Sequence, residues 1–423
     1  MTATGNKKIQ VYADWETFDK PFLLGELTVS KVRGDEIFSF SYTEEWLQSE
    51  YLQMLDPDLL LFPGQQYLSN EKPNFGMFLD SSPDRWGRTL MKRREAAIAR
   101  KEGRKENVLL ESDFLLGVYD EQRIGALRFK TSKDGAFLNH DSDYAVPPMT
   151  SLRELEYACN QIERDDISND IDYFNYLRLL LAPGSSLGGA RPKAGVIDLN
   201  KHLWIAKFPS RNDDIDIGAW EMVVHELAQK SKISVPDARI EQVLGKHHTY
   251  LSKRFDRNES NKRIHFATAM TLLGKNDGAN FNDGSSYLDI AGFIIQHGAT
   301  VQNDLEELWK RIVFSICVSN TDDHLRNHGF LLTRKGWILS PAYDMNPVNT
   351  GRGLTLNISD TDNALSLDLA KDVIPYFNLT KDQASKIISN IVSVVSEWKT
   401  IAKKHKISNT EIERMTSAFE VKK

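Results

Sequence analysis

The chain has 423 residues, 41% of them hydrophobic and 26% charged, with a formal net charge of −6 at pH 7. This is the composition of an ordinary globular protein long enough for more than one domain, and its mild acidity speaks against a chain built to coat nucleic acid or an anionic membrane. No window reaches the roughly 18 apolar residues of a membrane-spanning helix, and the opening MTATGNKKIQVYADW lacks the apolar core of a signal peptide; the expectation is a soluble, cytoplasmic protein with no membrane partner.

In chain order, KIQVYADW, LLGELTVS and EIFSFSY are short β-rich runs separated by polar or glycine-containing breaks, and they predict strands between residues 8 and 42. PDRWGRTLMKRREAAIARKEGRKEN (83–107) predicts a basic helix, read first as a solvated face. LLGVYDEQRIGALRFK (115–130) reads as a hairpin, two apolar runs around a polar turn. HDSDYAVPPMTS (140–151) is the best linker candidate. SLRELEYACNQIE and IDYFNYLRLLLAPG then predict helices, the second ending at Pro183 and Gly184. AGVIDLN and HLWIAKFPS predict a strand pair, DIGAWEMVVHELAQKSKI a helix with apolar residues every three to four positions, and ARIEQVL with HTYLSKRFDR a second strand pair. From about 260 the pattern is mostly helical, with capping-box signatures at Thr380/Gln383 and Ser408/Glu411. Cys159 and Cys317 lie in apolar, helix-like stretches and read as buried free thiols. Strands followed by a helix-rich half predict a two-lobed α+β protein.

One stretch breaks the helical half: VSNTDDHLRNHGFLLTRKGWILSPAYDMNP, residues 318–347. Asp322 and Asn327 have the D-x-x-x-x-N spacing of a protein-kinase catalytic loop, GFLL and WILS predict a hairpin, and Asp344 follows it, where a kinase carries its second metal-binding Asp. The chemistry asks for such a set: one carboxylate to orient an attacking hydroxyl, and an Asp and an Asn to offer Mg²⁺ the oxygen ligands it prefers. The spacing alone is weak, since turns favour both residues; the combination of loop, hairpin and Asp is much rarer. His324 and His328 lack the Cys or His partners of a zinc site. Upstream, GSSLGGARPKAGVIDLN (184–200) is a small-residue loop before a strand, where Gly188, Gly189 and Ala190 would let backbone N–H groups approach phosphate oxygens. Lys207 in WIAKFPS is a charge amid apolar neighbours, which either snorkels or meets an anion. Glu221, with Glu226 as a competitor on the same helix, would be its partner in a kinase-like strand-Lys and helix-Glu pair.

SSLGGARPKA, WIAKFPS, YLSKRFDR, NTDDHLRNHGFLL and LSPAYDMNP occur in this order and together resemble the HipA family, the serine/threonine kinase toxins of type II toxin–antitoxin pairs. GELTVSKVRGDEIFSFSYTEEWL, SPDRWGRTLMKRRE and RIGALRFK are similar to that family's N-terminal subdomain, so the resemblance spans most of the chain. It implies an α+β, two-lobed protein-kinase-like fold with an added β-rich N-terminal subdomain and a helix-rich C-terminal lobe, divided as 1–145, 146–257 and 258–423. It implies ATP and Mg²⁺ as cofactors and Asp322 as catalytic base, with Asn327 and Asp344 on the metal. The nucleotide site it implies comprises Leu187, Gly188, Gly189, Ala190, Arg191, Pro192, Lys193, Lys207, Glu221, the hinge residues Lys253, Arg254 and Phe255, His324, Asn327, Tyr343 and Asp344. Lys253 stands where the family often shows Glu, which a backbone contact to adenine would survive. Ser186, or Ser185 in a slipped register, resembles the family's autophosphorylated serine. The implied partners are a small helix-turn-helix, HipB-like antitoxin, an aminoacyl-tRNA synthetase as protein substrate, and operator DNA reached mainly through the antitoxin. A small-molecule phosphotransferase or a silent co-repressor subunit would share part of this set.

Overall fold

The computed structural model describes residues 6–68, 72–141, 147–164, 171–181, 189 and 191–420. By packing, the chain divides into two compact units, Met1–Arg211 with Asp256–Ala267, and Asn212–Phe255 with Thr268–Lys423. These cuts differ from the three expected segments, because residues 212–255 pack with the C-terminal half.

The first unit is built on an antiparallel sheet of β1 (Lys7–Ala13), β2 (Phe22–Val32), β3 (Asp35–Tyr42), β4 (Gln66–Tyr67) and β5 (Leu127–Lys130), in the order β4-β3-β2-β1-β5. The expected strands are present. Ile9, Val11 and Ala13 alternate onto the buried face, and β1 pairs β2 with Ile9 opposite Leu27. Gly25 of β2 is required by packing: a Cβ there would lie 2.3 Å from Ser41 O and 2.4 Å from the Phe40 ring.

The helices of this unit are α1 (Glu44–Leu47), α2 (Gly76–Asp80), α3 (Arg85–Glu102), α4 (Glu111–Gly117), α5 (Leu152–Ile162) and α6 (Ile171–Leu181). The basic helix is α3, capped by Asp84 and closed at Gly103, φ +64. The hairpin expected over 115–130 is not there. Its first run is the end of α4, where Asp113 Oδ2 accepts the Leu110 N–H at the helix start and Phe114 and Leu115 are buried. Its second run is β5, which pairs with β1 instead, Gln10 opposite Lys130. Three apolar residues are too few to distinguish the two periods. In the linker candidate, residues 142–146 lie outside the described residues, and Met149–Ser151 forms a 3₁₀ turn. The Pro183–Gly184 helix end also lies outside them. β6 (Lys193–Ile197) and β7 (Leu203–Lys207) form the expected antiparallel pair, Lys193 opposite Lys207.

The second unit contains α7 (Ile217–Lys230), the antiparallel pair β8 (Ala238–Glu241) and β9 (Thr249–Lys253), and, after the short strand β10 (Phe266–Thr268), α8 (Ala269–Leu272), α9 (Tyr287–His297) and α10 (Val301–Val318). The hairpin β11 (Gly329–Thr333) and β12 (Gly336–Leu339) follows as expected, and α11 (Leu367–Asp372), α12 (Lys381–Val395), α13 (Trp398–Lys404) and α14 (Asn409–Arg414) complete it. The core gathers Trp220, Trp309, Phe314 and Trp337, each under 2% exposed. The Thr380/Gln383 capping box is formed in full. At Ser408 the hydroxyl caps Glu411 N–H as expected, but Glu411 Oε2 reaches away to accept the Asp216 N–H at 3.0 Å, fastening α14 to the start of α7. Both cysteines are buried free thiols, as expected, and among the described residues no helix is long and apolar enough to cross a membrane.

Candidate active site

Within the second unit, α10 runs its buried apolar stripe to Val318 and stops at Ser319, whose left-handed conformation, φ +50, turns the chain out of the helix. The Ser319 hydroxyl donates to Ala418 O at 2.7 Å and holds that turn. Asp322, the first carboxylate past the turn, is exposed. Asn327 is buried, and its Nδ2 donates to Asp322 O at 3.0 Å, closing the five-residue loop on itself. His324 Nδ1 is a buried nitrogen with no hydrogen-bond partner among the described residues.

The hairpin β11–β12 then returns the chain to the loop. Tyr343 donates its hydroxyl to Arg326 O at 2.5 Å. Asn346 donates its N–H to Asn320 Oδ1 at 3.1 Å. Asp344 lies between these two attachments, with φ +58, a conformation uncommon for a non-glycine residue. The structure thus brings Asp322, Asn327, Tyr343 and Asp344 into one assembly. Mg²⁺, implied by the resemblance, suits this donor set: with Asn327 Nδ2 engaged on Asp322 O, the amide offers its oxygen, and Asp344 adds a carboxylate.

Glu221 and Asp344 both act on Tyr250: burial pushes its phenol well above the usual range, and the Glu221 and Asp344 carboxylates add to that. Glu221 is itself buried. The competitor Glu226, on the same α7, faces elsewhere, accepting from Lys404 Nζ at 2.8 Å and lying 2.7 Å from His405 Nε2. Of the expected hinge, Lys253 donates its N–H to Asp237 O, Arg254 is buried, and the Phe255 ring lies 5.6 Å from that of Tyr343.

Within the first unit, Lys207 is half-buried at the end of β7. Ser185, Ser186, Leu187, Gly188 and Ala190 lie outside the described residues. Gly189 has φ +94, which suits glycine. Arg191 is half-buried, and Pro192 O accepts the Phe208 N–H. Lys193 is a correction. Its ammonium is 3% exposed and sits 2.9 Å from Asp84 Oδ2, while its carbonyl accepts from Trp86 Nε1. A buried ammonium held by a buried carboxylate anchors the strand rather than facing a nucleotide.

Sequence reasoning passed over Asp323. It is buried, accepts the Tyr287 hydroxyl at 2.7 Å and the Ser315 hydroxyl at 3.3 Å, and lies 3.1 Å from His328 Nε2, an ion-pair separation rather than an aligned hydrogen bond. Burial pushes the Asp323 carboxyl up, but His328 and the Tyr287 hydroxyl outweigh it and hold it below the usual range. The doublet Asp322–Asp323 was the signal available.

An α+β scaffold carrying a D-x-x-x-x-N loop, a hairpin and a following Asp defines a kinase-like protein. The model of the HipA-like C-terminal domain matches residues 185–398, half of the chain, and the chain belongs to that family. A putative kinase of Haemophilus influenzae is 27% identical over 179 residues, 38% of this chain and 52% of the relative; the chain spans about half the length of that curated relative. A solved Shewanella oneidensis HipA, in complex with HipB and operator DNA, superposes over 97% of this chain and 94% of its own with a TM-score of 0.62 at 18% identity, a likeness of fold.

Proposed function

We propose that the protein is an ATP- and Mg²⁺-dependent serine/threonine protein kinase and the toxin of a type II toxin–antitoxin pair, acting in the cytoplasm. One observation carries the reading: the two hydrogen bonds, from Tyr343 to Arg326 and from Asn346 to Asn320, that fasten Asp344 to the loop of Asp322 and Asn327. In this reading Asp322 accepts the proton of a substrate hydroxyl as its oxygen bonds to the γ-phosphorus and the bond to ADP breaks. Asn327 and Asp344 hold Mg²⁺, which when bound neutralises charge developing on the phosphate oxygens. Lys207 holds the α- and β-phosphates, and Glu221 orients it; His324, the 253–255 hinge and Tyr343 frame the nucleotide. Residues 187–192 serve as the phosphate loop, and the functional segments remain 1–145, 146–257 and 258–423.

The family supplies the finer proposals: a HipB-like helix-turn-helix antitoxin that brings the pair to operator DNA, and an aminoacyl-tRNA synthetase, of the glutamyl-tRNA synthetase kind, as substrate. Autophosphorylation at Ser186 is the proposed off-switch. A phosphoserine adds about −1.5 to −2 charges at pH 7, beside the loop proposed to receive the phosphates of ATP, and so lowers ATP affinity. Mixing inactive Asp322→Ala protein with active enzyme and labelled ATP should label the inactive chain at Ser186, and Ser186→Ala should remove the label. Equal ATP affinity of phosphorylated and unphosphorylated wild type would defeat the switch, and no label on any chain would count against the kinase.

A further inference from the structure

We propose that Asp323 and His328 are positioning residues, a buried clamp that sets the separation of Asp322 from Asn327. The inference rests on the kinase reading of that loop.

Each of the two proposed functional residues is followed at once by a buried ionisable one. Asp323 is 4% exposed and His328 2%. Their side chains meet, His328 Nε2 standing 3.1 Å from Asp323 Oδ1. The loop is therefore tied twice: by the Asn327 amide on Asp322 O, and by this pair one residue further along at each end. The clamp is fastened to three helices. Asp323 Oδ2 accepts from Tyr287 of α9 and Ser315 of α10. His328 O accepts the Ala269 N–H of α8 at 2.7 Å, and the Tyr287 ring meets the His328 ring edge-on at 5.5 Å. Thr321, on the other flank, is held by Thr355, whose hydroxyl donates to Thr321 O at 2.8 Å.

A buried acid–imidazole pair is a poor device for stability alone, since an apolar pair of similar volume often does as well. What an apolar pair does not provide is direction. Hydrogen bonds from two helices fix where the Asp323 carboxylate lies, and so fix the backbone on which Asp322 is carried. That precision matters in phosphoryl transfer, where a displacement of about 1 Å can cost about a hundredfold in rate.

The test compares wild type with Asp323→Asn, His328→Gln and Tyr287→Phe in the full chain. Two measurements are made: backbone amide exchange over 320–329, and steady-state kinetics with ATP. Asp323→Asn should speed exchange of the loop amides about tenfold and lower kcat at least as much, with the KM for ATP within about twofold of wild type, because Lys207 is untouched. Tyr287→Phe removes only a hydroxyl, and should show the same pattern more weakly if the other variants fail to fold. Loop exchange and kcat equal to wild type in folded variants would overturn the clamp. So would faster exchange spread evenly through the whole unit. If wild type transfers no phosphate, the kinase reading falls, and loop exchange still decides whether the pair holds the loop.

Discussion

Asp344 sits in a left-handed conformation, φ +58, between two hydrogen-bonded neighbours. Such backbone persists only where the surroundings over-determine it, and here they are the loop of Asp322 and Asn327. These residues were legible in the sequence because their spacing is local. Asp323 was not: in a turn-rich string it reads as one more solvated acid, and its burial depends on Tyr287, 36 positions away. Lys193 was misread for the same reason, its partner Asp84 being 109 positions distant. At this scale Lys207 carries the sharpest expectation. A charged contact to phosphate is worth about 1.5–3 kcal/mol, so Lys207→Ala should weaken binding of a non-hydrolysable ATP analogue about 10- to 100-fold by calorimetry. Unchanged affinity would leave Lys207 a snorkelling surface lysine.

Elements with a clear period and a local cap were predicted with little error: β1 to β3, α3, α7 and the β11–β12 hairpin. Those whose partners are distant were not, β5 above all, since nothing in LRFK names β1 as its neighbour. The α7–α13 contact makes a pH prediction. Burial pushes the Glu226 carboxyl up, but Lys404 and His405 outweigh it and hold it below its ordinary 4.5. A carboxyl with a depressed folded-state pKa stabilises fully above its ordinary value, and loses that contribution as pH falls through the lower one. Glu226→Gln should therefore lower the stability at pH 7 by less than about 1 kcal/mol, the group being largely open to solvent. The difference from wild type should shrink steadily below pH 4.5. A difference independent of pH would show that the ion pairs contribute nothing.

For the whole molecule, the family match over 185–398 takes in residues of both packing units. Lys207 belongs to the first, and Asp322, Asn327 and Asp344 to the second. The α+β class followed from strands preceding helices; the division into units did not, because it depends on residues 212–255 packing with a C-terminal half far along the chain. The claim on which the rest depends is that the Asp322, Asn327 and Asp344 assembly transfers phosphate. It is tested most directly by incubating the purified chain with γ-labelled ATP and Mg²⁺, beside Asp322→Ala and Asp344→Asn proteins of matched circular dichroism. The account predicts label on protein serine with wild type and a loss of at least a hundredfold in both variants, since removing a metal-held charge costs several kcal/mol. Wild-type rates in folded Asp344→Asn protein would contradict it.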